Sequence, residues 1–174
     1  AGIYLGGYLN YTSGGTRNCY VLNNTLYFNN RQPGAFGEME GELRLTEQCF
    51  DNVIKNNIVY ARPADLMVHK YTNTGSGNII DNNLYFTTGT PQWIWNTTNG
   101  APYTDINSWR AASGMDAASV SGVDPLLINL TLPDLHLQST SPAKNAGVII
   151  NTDVHGALDI DGNPRITGNK ISLG

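Results

Sequence analysis

Three short apolar segments of this chain each enclose a pair of asparagines. The pairs recur after 33 and then 26 residues, and they are Asn23-Asn24, Asn56-Asn57 and Asn82-Asn83. Repeats of this length are typical of solenoids, in which each repeat forms one coil and stacks on its neighbours. Because apolar residues flank every pair, we interpret each copy as a short strand, a sharp corner and a second short strand.

A second set of segments precedes these copies, at residues 2–7, 41–46 and 65–70. Each alternates apolar and polar residues, which predicts a strand with one buried face. We therefore expect three short strands per coil and parallel stacking of successive coils. On this first strand, Leu5, Leu43 and Leu66 are predicted to point inward, as are Ile3, Leu45 and Val68.

Asparagine suits the predicted corner for two physical reasons. It tolerates the left-handed backbone conformation that a sharp bend requires. Its side-chain amide can also bond to equivalent amides in the coils above and below, as in stacked asparagine ladders. We expect the second asparagine of each pair to form such an inward ladder, through Asn24, Asn57 and Asn83.

The regular pattern stops after Phe86, and we interpret residues 87–99 as irregular. Residues 105–112 predict one short helix, with Thr104 or Asp105 as its N-cap and Gly114 near its end. The fold class predicted is all-β: about three coils in residues 1–90, and an irregular segment in residues 91–174 that caps or flanks the same domain.

Composition excludes some partners and leaves the cysteines open. The 174 residues carry a net charge of -4 and only 14% are charged, against about 25% usually. There is no basic stretch, so nucleic acid is not an expected partner. No apolar run approaches the roughly 20 residues that cross a bilayer, so no membrane partner is expected. Cys19 and Cys49 are compatible with one disulfide or with two buried thiols.

The second half of the chain contains a set of short motifs that together resemble one family. The motifs are Asp124-Pro125-Leu126, Asp134-Leu135-His136-Leu137, Ser141-Pro142-Ala143 with Ala146-Gly147, Asp159-Ile160-Asp161-Gly162 with Pro164-Arg165, and Gly168. They resemble the C-terminal tail of bacterial secreted proteins of the pectate-lyase-like superfamily. The resemblance implies a right-handed parallel β-helix, a location outside the cell or on its surface, and polysaccharide as the partner.

Members of that family carry more coils than the three seen here. We therefore expect this chain to be the C-terminal part of a larger protein, with an N-terminal part of the same protein as a further partner. The family includes polysaccharide lyases, glycoside hydrolases and members without an assigned substrate, so the resemblance does not select one activity.

The resembling enzymes bind sugar chains on the outward face of the first strands. The neighbours of the inward residues then point outward and form three columns: Tyr4, Glu42 and Asp65; Gly6, Arg44 and Met67; Tyr8, Thr46 and His69. A uronate lyase needs a base and a cation that neutralises the carboxylate. The candidate catalytic residues are Arg44, His69, Lys70 and Glu42, although simple alternation turns Lys70 inward. The alternative is a solvated strand face with a Glu42–Arg44 ion pair.

A glycoside hydrolase needs two carboxylates about 5–9 Å apart, and Glu38, Glu40, Glu42 and Glu47 form an acidic cluster. A flexible acidic loop is the alternative interpretation of that cluster. Aromatic rings stack on sugar rings, so Tyr4, Tyr8, Trp93 and Trp95 are the candidate substrate-binding residues. The tryptophans fit equally well as side chains that fill the core.

No metal site is predicted and no cofactor is required, with Ca²⁺ as the one open case. Residues 159–163 alternate carboxylate and amide oxygens, but Pro164 and Lys170 stand where an EF-hand needs Gly and Glu. The leading interpretation is part of an extracellular polysaccharide lyase or glycoside hydrolase. The alternative is a non-catalytic carbohydrate-binding or adhesion module, and a purely structural stalk is a third.

Overall fold

The computed structural model describes residues 1–8, 14–30, 40–132 and 134–174. Two helices and fifteen mostly very short strands make up the regular structure. The strands are β1 (Ile3–Leu5), β2 (Thr16–Arg17), β3 (Tyr20–Leu22), β4 (Thr25–Tyr27), β5 (Gly41–Leu45), β6 (Cys49–Phe50), β7 (Val53–Lys55), β8 (Ile58–Tyr60), β9 (Leu66–Lys70), β10 (Ile79–Asp81), β11 (Leu84–Phe86), β12 (Gln92–Trp95), β13 (Val120–Ser121), β14 (Leu127–Asn129) and β15 (Asp134–Leu137). The helices are α1 (Ile106–Ser113) and α2 (Thr152–His155).

The architecture is all-β and predominantly parallel, in several sheets. The first sheet has the strand order β1-β5-β9-β12, the second β10-β7-β3 and the third β13-β11-β8-β4. Every pairing within these three sheets is parallel. We call β1, β3 and β4 the first repeat, β5, β7 and β8 the second, β9, β10 and β11 the third, and β12 with β13 the fourth. Equivalent strands of consecutive repeats are therefore hydrogen-bonded neighbours.

The asparagine pairs form the corners between the second and third sheets. The first residue of each pair is left-handed, with φ of 54° at Asn23, 60° at Asn56 and 54° at Asn82. The second residues form the predicted ladder. Asn24 Nδ2 donates to Asn57 Oδ1 at 3.0 Å, and Asn57 Nδ2 donates to Asn83 Oδ1 at 3.0 Å. Both predictions for the asparagine pairs are confirmed.

The core lies between the three sheets and draws side chains from each of them. Leu43, Val68 and Trp93 come from the first sheet, Ile54 from the second and Val59 from the third. The predicted register on the first sheet is wrong by two residues. Ile3 pairs with Leu43 and Leu43 with Val68, while Leu5 pairs with Leu45 and Leu45 with Lys70. A shift of two leaves the inward–outward alternation unchanged, so periodicity alone does not distinguish the two registers.

The segment after Phe86 is not irregular, because β12 continues the first sheet. Trp93 pairs with Val68, and Trp95 with Lys70. α1 follows, with Asp105 as N-cap and left-handed Gly114 as C-cap, which confirms the predicted helix. The prediction of a single helix is wrong, because α2 is present as well.

The C-terminal tail covers the outer face of the third sheet. Ile58 and Leu84 pack there against Ala143 and Leu173, so the tail and the repeats share buried apolar surface.

Both cysteines are free: Cys49 is buried and Cys19 is exposed. The disulfide alternative is therefore wrong, and the buried-thiol alternative holds for Cys49 alone. None of the helices in the described part of the chain has the length and apolarity needed to cross a membrane.

Candidate functional site

The outward column predicted to form the sugar groove has a different composition in the structure. Tyr4 pairs with Arg44, Arg44 with His69 and His69 with Ile94. The predicted separation of Tyr4, Arg44 and His69 into three columns is thus corrected by the two-residue register shift. The result brings two of the candidate catalytic residues, Arg44 and His69, onto neighbouring strands, which lie about 4.8 Å apart in a sheet.

The candidate catalytic residues on this sheet are not solvated. Glu42, Arg44 and His69 have no exposed surface, and Lys70 is 3% exposed. The prediction that these residues line an open groove is therefore wrong as a statement about exposure. Their catalytic role stays a prediction, but a polysaccharide cannot reach them without movement of the side chains that cover them.

Aromatic rings and a carboxylate enclose Arg44. Its guanidinium lies 5.7 Å from the ring centre of Tyr4 and 4.9 Å from that of Tyr71. Its Nη1 is 3.4 Å from a carboxylate oxygen of Glu40, not of Glu42. Tyr71 also packs against His69, whose Nε2 lies 3.0 Å from the carbonyl oxygen of Thr97. These contacts satisfy charge and orient the rings, which is typical of a structural cluster.

Glu42 accepts hydrogen bonds from neighbouring backbone and side-chain amide groups. Its carboxylate accepts hydrogen bonds from the backbone N–H of Asn29 at 2.8 Å and from Asn29 Nδ2 at 2.9 Å. Burial raises the pKa of Glu42, and the bonds from Asn29 and Asn30 oppose that rise. The predicted ion pair between Glu42 and Arg44 is replaced by the Glu40 contact described above.

Lys70 points inward, as simple alternation predicts. It occupies the column of Leu5 and Leu45, and its Nζ donates to the carbonyl oxygens of Thr46, Thr72 and Thr74. Burial lowers its pKa. All of its donors are used inside the fold, so Lys70 does not face a substrate.

The candidate stacking residues divide into buried and accessible rings. Trp93 is fully buried and belongs to the core. Trp95 and Tyr8 are partly buried, and Tyr4 is 44% exposed. The core-filling alternative is therefore correct for Trp93.

The predicted acidic cluster is only partly described. Glu38 lies outside the described residues, Glu40 and Glu42 make the contacts given above, and Glu47 is partly buried.

A groove of about 910 Å³ lies elsewhere, between the C-terminal tail and the corner of the first repeat. Four segments line it: Asn23–Thr25, β15, residues 144–145 and the stretch from Asp159 to Gly174. Leu135, Ile160 and Pro164 give it apolar patches, and three lining residues carry positive charge: Lys144, Arg165 and Lys170.

An imidazole between two carboxylates lies in this groove. His136 Nδ1 contacts Asp134, and its Nε2 is 3.1 Å from Asp161 Oδ2. The hydrogen bond to Asp134, followed by the charge of Asp161, raises the pKa of His136. Asp159 is engaged locally, because its Oδ1 accepts from the backbone N–H of Asp161 and of Asn163.

No metal ligand set is found where the Ca²⁺ alternative was considered. Within the described residues there is no group of three or more His, Cys, Asp or Glu side chains placed to hold a metal ion. His136 does not combine its two carboxylates into one site, since they meet opposite nitrogens of the ring.

Sequence reasoning missed this groove. The motifs 134–137 and 159–165 indicated a family resemblance, and residues 159–163 a Ca²⁺ alternative, but neither predicted that both motifs line one groove. The spacing of 25 residues between His136 and Asp161 has no local periodicity, so only the folded tail brings them together. The clustering of polar motifs in a tail after the last repeat was the one sequence signal that could have indicated this groove.

The comparisons with known proteins add no relative. No family model, no curated protein and no solved structure matches the chain.

Proposed function

We propose that this chain is a right-handed parallel β-helix of the pectate-lyase-like kind, and that it binds polysaccharide outside a bacterial cell without cleaving it. Parallel pairing of equivalent strands in three sheets and the asparagine ladder support the β-helix assignment. The tail motifs support the family and the location. An N-terminal part of the same protein, with further coils, belongs to this proposal as a partner.

The observation that favours binding over cleavage is the burial of the candidate catalytic residues. A lyase requires its base and its cation to touch the substrate. Here Arg44 and His69 have no exposed surface, and Lys70 donates to three carbonyl oxygens. The groove beside the tail is open by comparison, since Lys144 and Lys170 are exposed.

The composition of the groove suits a saccharide. Sugar rings combine apolar C–H faces with many hydroxyl groups, and sites that hold small polar ligands pair apolar surface with a few placed polar groups. Ile160 and Leu135 offer the apolar surface, while Arg165, Lys170 and Asp161 offer charged hydrogen-bonding partners. Charge-assisted hydrogen bonds are roughly twice as strong as neutral ones.

The test is retention on a panel of neutral and acidic polysaccharides, measured by affinity electrophoresis and calorimetry. Lys170→Ala and Asp161→Asn each weaken binding about tenfold, the equivalent of one charge-assisted hydrogen bond. Lys55→Ala, on β7 and outside the groove, is the matched control and leaves binding unchanged. Equal retention of all variants, or no retention of any polysaccharide, contradicts the proposal.

A catalytic function is the second candidate, and the column of Tyr4, Arg44 and His69 favours it. Tyr4 is exposed, and the buried guanidinium of Arg44 lies 5.7 Å from the centre of its ring. A lyase or hydrolase predicts product release from a polysaccharide, detected by ultraviolet absorbance of unsaturated uronates or by reducing ends. Loss of that activity in His69→Gln, with unchanged retention, would support cleavage. Absence of activity in the unaltered protein on every polysaccharide that it retains would oppose it.

A further inference from the structure

In the first and second repeats, the first asparagine of the pair holds the C-terminal tail with its side chain. In the second repeat, Asn56 Oδ1 accepts from the backbone N–H of Val148 at 2.9 Å, and Asn56 Nδ2 donates to the carbonyl oxygen of Val148 at 2.8 Å. In the first repeat, Asn23 Nδ2 donates to the carbonyl oxygen of Ser172 at 2.7 Å, but Asn23 Oδ1 faces the imidazole of His155. One of these tail contacts is therefore made by a group that titrates near neutral pH.

Both ring nitrogens of His155 form hydrogen bonds. Nδ1 lies 3.1 Å from Asn23 Oδ1, and the backbone N–H of Ile150 donates to Nε2 at 2.9 Å. A nitrogen that accepts carries no proton, so Nε2 is bare and Nδ1 carries the proton that it donates to Asn23. The residue is buried, with 7% of its surface exposed. The two contacts therefore select one neutral tautomer of the ring.

A protonated His155 does not fit this site. The imidazolium has two donors and no acceptor, so the N–H of Ile150 would meet a second N–H instead of a lone pair. Burial, followed by the charge of Arg165, lowers the pKa of His155. The other charged residue of α2 is Asp153, which is exposed, and the Asn23 side chain is neutral. The site therefore accommodates the ring in its neutral form.

We propose that the contacts of His155 with Asn23 and Ile150 form an acid-sensitive latch, which holds residues 149–156 against the first repeat. Uptake of one proton opens the latch: the bond from Ile150 is lost, and the imidazolium turns into water, because a buried charge without a partner is costly. The two bonds of Asn56 and the apolar contacts of the tail with the third sheet persist. Opening is therefore local, and the rest of the tail stays attached.

The direction of the pH response follows from the lowered pKa of His155. The folded state binds the proton less readily than the unfolded state, whose imidazole titrates near 6.5. The latch therefore stabilises the junction above pH 6.5, and this contribution is lost as pH falls through the folded pKa.

The latch lies beside the saccharide groove, because Asn23 and Arg165 line that groove. In the closed latch, Ser172 and His155 fix the nitrogen and the oxygen of the Asn23 amide. In the open latch, the oxygen is released, and the groove loses a pre-oriented hydrogen-bonding group, which lowers affinity. Acid is therefore expected to weaken saccharide binding. This consequence rests on the proposed function, whereas the latch itself is defined without a saccharide.

The first experiment needs no saccharide. The imidazoles are titrated by NMR between about pH 8 and pH 5, and the protection of the Ile150 and Val148 amides against hydrogen exchange is measured over the same range. We expect a pKa below 6.5 for His155 and a loss of about tenfold in the protection of Ile150, the scale of one hydrogen bond. The Val148 amide, which donates to Asn56, is the internal control and stays protected. Unchanged protection of Ile150, or an equal loss at Val148, overturns the proposal.

Variants assign the pH response to one ring. His155→Gln offers an oxygen that accepts from Ile150 at every pH, so its Ile150 protection no longer falls in acid. His136→Gln is the matched control and retains the pH response of the unaltered protein. Arg165→Gln removes the nearby positive charge, so it raises the pKa of His155 and moves the opening to higher pH. Circular dichroism checks that each variant is folded. An unchanged pH response in folded His155→Gln, or an unshifted one in Arg165→Gln, contradicts the latch.

A second experiment measures the consequence for the groove. Retention on one neutral polysaccharide is compared near pH 8 and near pH 5 for the unaltered protein and for His155→Gln. Acid is expected to weaken retention by the unaltered protein only. Both proteins keep His136, which also lies in the groove, so a difference between them belongs to His155. Loss of Ile150 protection in acid without retention of any polysaccharide supports the latch and overturns the proposed function. Retention that is equal at both pH values, while Ile150 loses protection, overturns the link between latch and groove.

Discussion

The two ends of the array are built differently. At the fourth repeat, Asp116 receives hydrogen bonds from Trp109 Nε1 at 2.7 Å and from the Tyr85 hydroxyl at 3.0 Å. Ser119 takes the next ladder position, and its Oγ accepts from the backbone N–H of Asn83 at 2.8 Å. At the first repeat, Asn24 Oδ1 has no such partner within the described residues. The ladder is therefore closed by a serine at the fourth repeat, whereas its last amide acceptor at the first repeat has no donor within the described residues.

The charged groups at the fourth repeat and in the C-terminal tail also differ in burial. Asp116 is buried and its pKa is raised by burial, although Ser119, Trp109 and Tyr85 oppose the rise through hydrogen bonds. The Asp134–His136–Asp161 contacts are exposed, and salt in the solvent screens exposed charges. The buried hydrogen bonds of Asp116 are therefore expected to contribute more to stability than the exposed contacts of His136.

The largest expected loss of stability comes from removing Asp116, which closes the fourth-repeat end. Asp116→Ala leaves the Trp109 and Tyr85 donors buried without an acceptor, which costs about 3–4 kcal/mol of unfolding free energy. Asp153→Ala, at an exposed position, is the matched control. Chemical denaturation measures both. A loss below about 1 kcal/mol would mean that the cap does not stabilise the array.

The second expected effect is a difference in stability between substitutions at the middle and at the open end of the asparagine ladder. Asn57 donates to three acceptors and accepts from two donors of Asn24. Asn57→Ala therefore costs about 2–3 kcal/mol, since several buried groups lose their partners together. Asn24→Ala, at the open end, costs about 1 kcal/mol. Equal losses in denaturant titrations of the two variants would remove the distinction between a closed and an open end.

The pH dependence of stability should separate Asp116 from the other carboxyl groups. A raised pKa means that the folded state binds the proton more strongly than the unfolded state. The contribution of this group therefore falls as pH rises from 3.8 through the folded pKa. Asp116→Asn removes that decline, as denaturation across this pH range would show. A parallel decline in the variant would assign the effect to other groups.

The smallest effect is expected at His136. Its raised pKa means that the contact stabilises the tail below pH 6.5 and that this contribution disappears as pH rises through the folded pKa. NMR titration of the imidazole should give a pKa above 6.5, and Asp161→Asn should bring it closer to that value. Identical titration curves for the two proteins would show that Asp161 does not act on the ring.

Predictions from sequence succeeded where local chemistry decides the outcome. The asparagine corners, the ladder, the inward Lys70 and the helix capped by Asp105 each follow from a residue type and its neighbours. The continuation of the first sheet through Trp93 was missed, because the apolar-rich run Trp93-Ile94-Trp95 lacks the alternation seen in the earlier strands.

The candidate site was predicted only in part. Alternation correctly assigned Arg44 and His69 to the outward side, but their exposure was wrong, because Tyr4, Tyr71 and Thr97 come from other strands and loops. The groove of the tail depends on contacts over long sequence separations, such as His136 with Asp161. No pattern within a window of a few residues carries that information.

Short-range chemistry was thus enough to specify the repeating strands, their corners and the amide ladder, since each depends on backbone conformation and on the alternation of neighbouring side chains. Folding of the whole chain was needed to select the strand register, the burial of Arg44 and His69, and the position of the tail. The physical reason is that a shift by two residues preserves alternation, so long-range packing selects among arrangements that are locally equivalent.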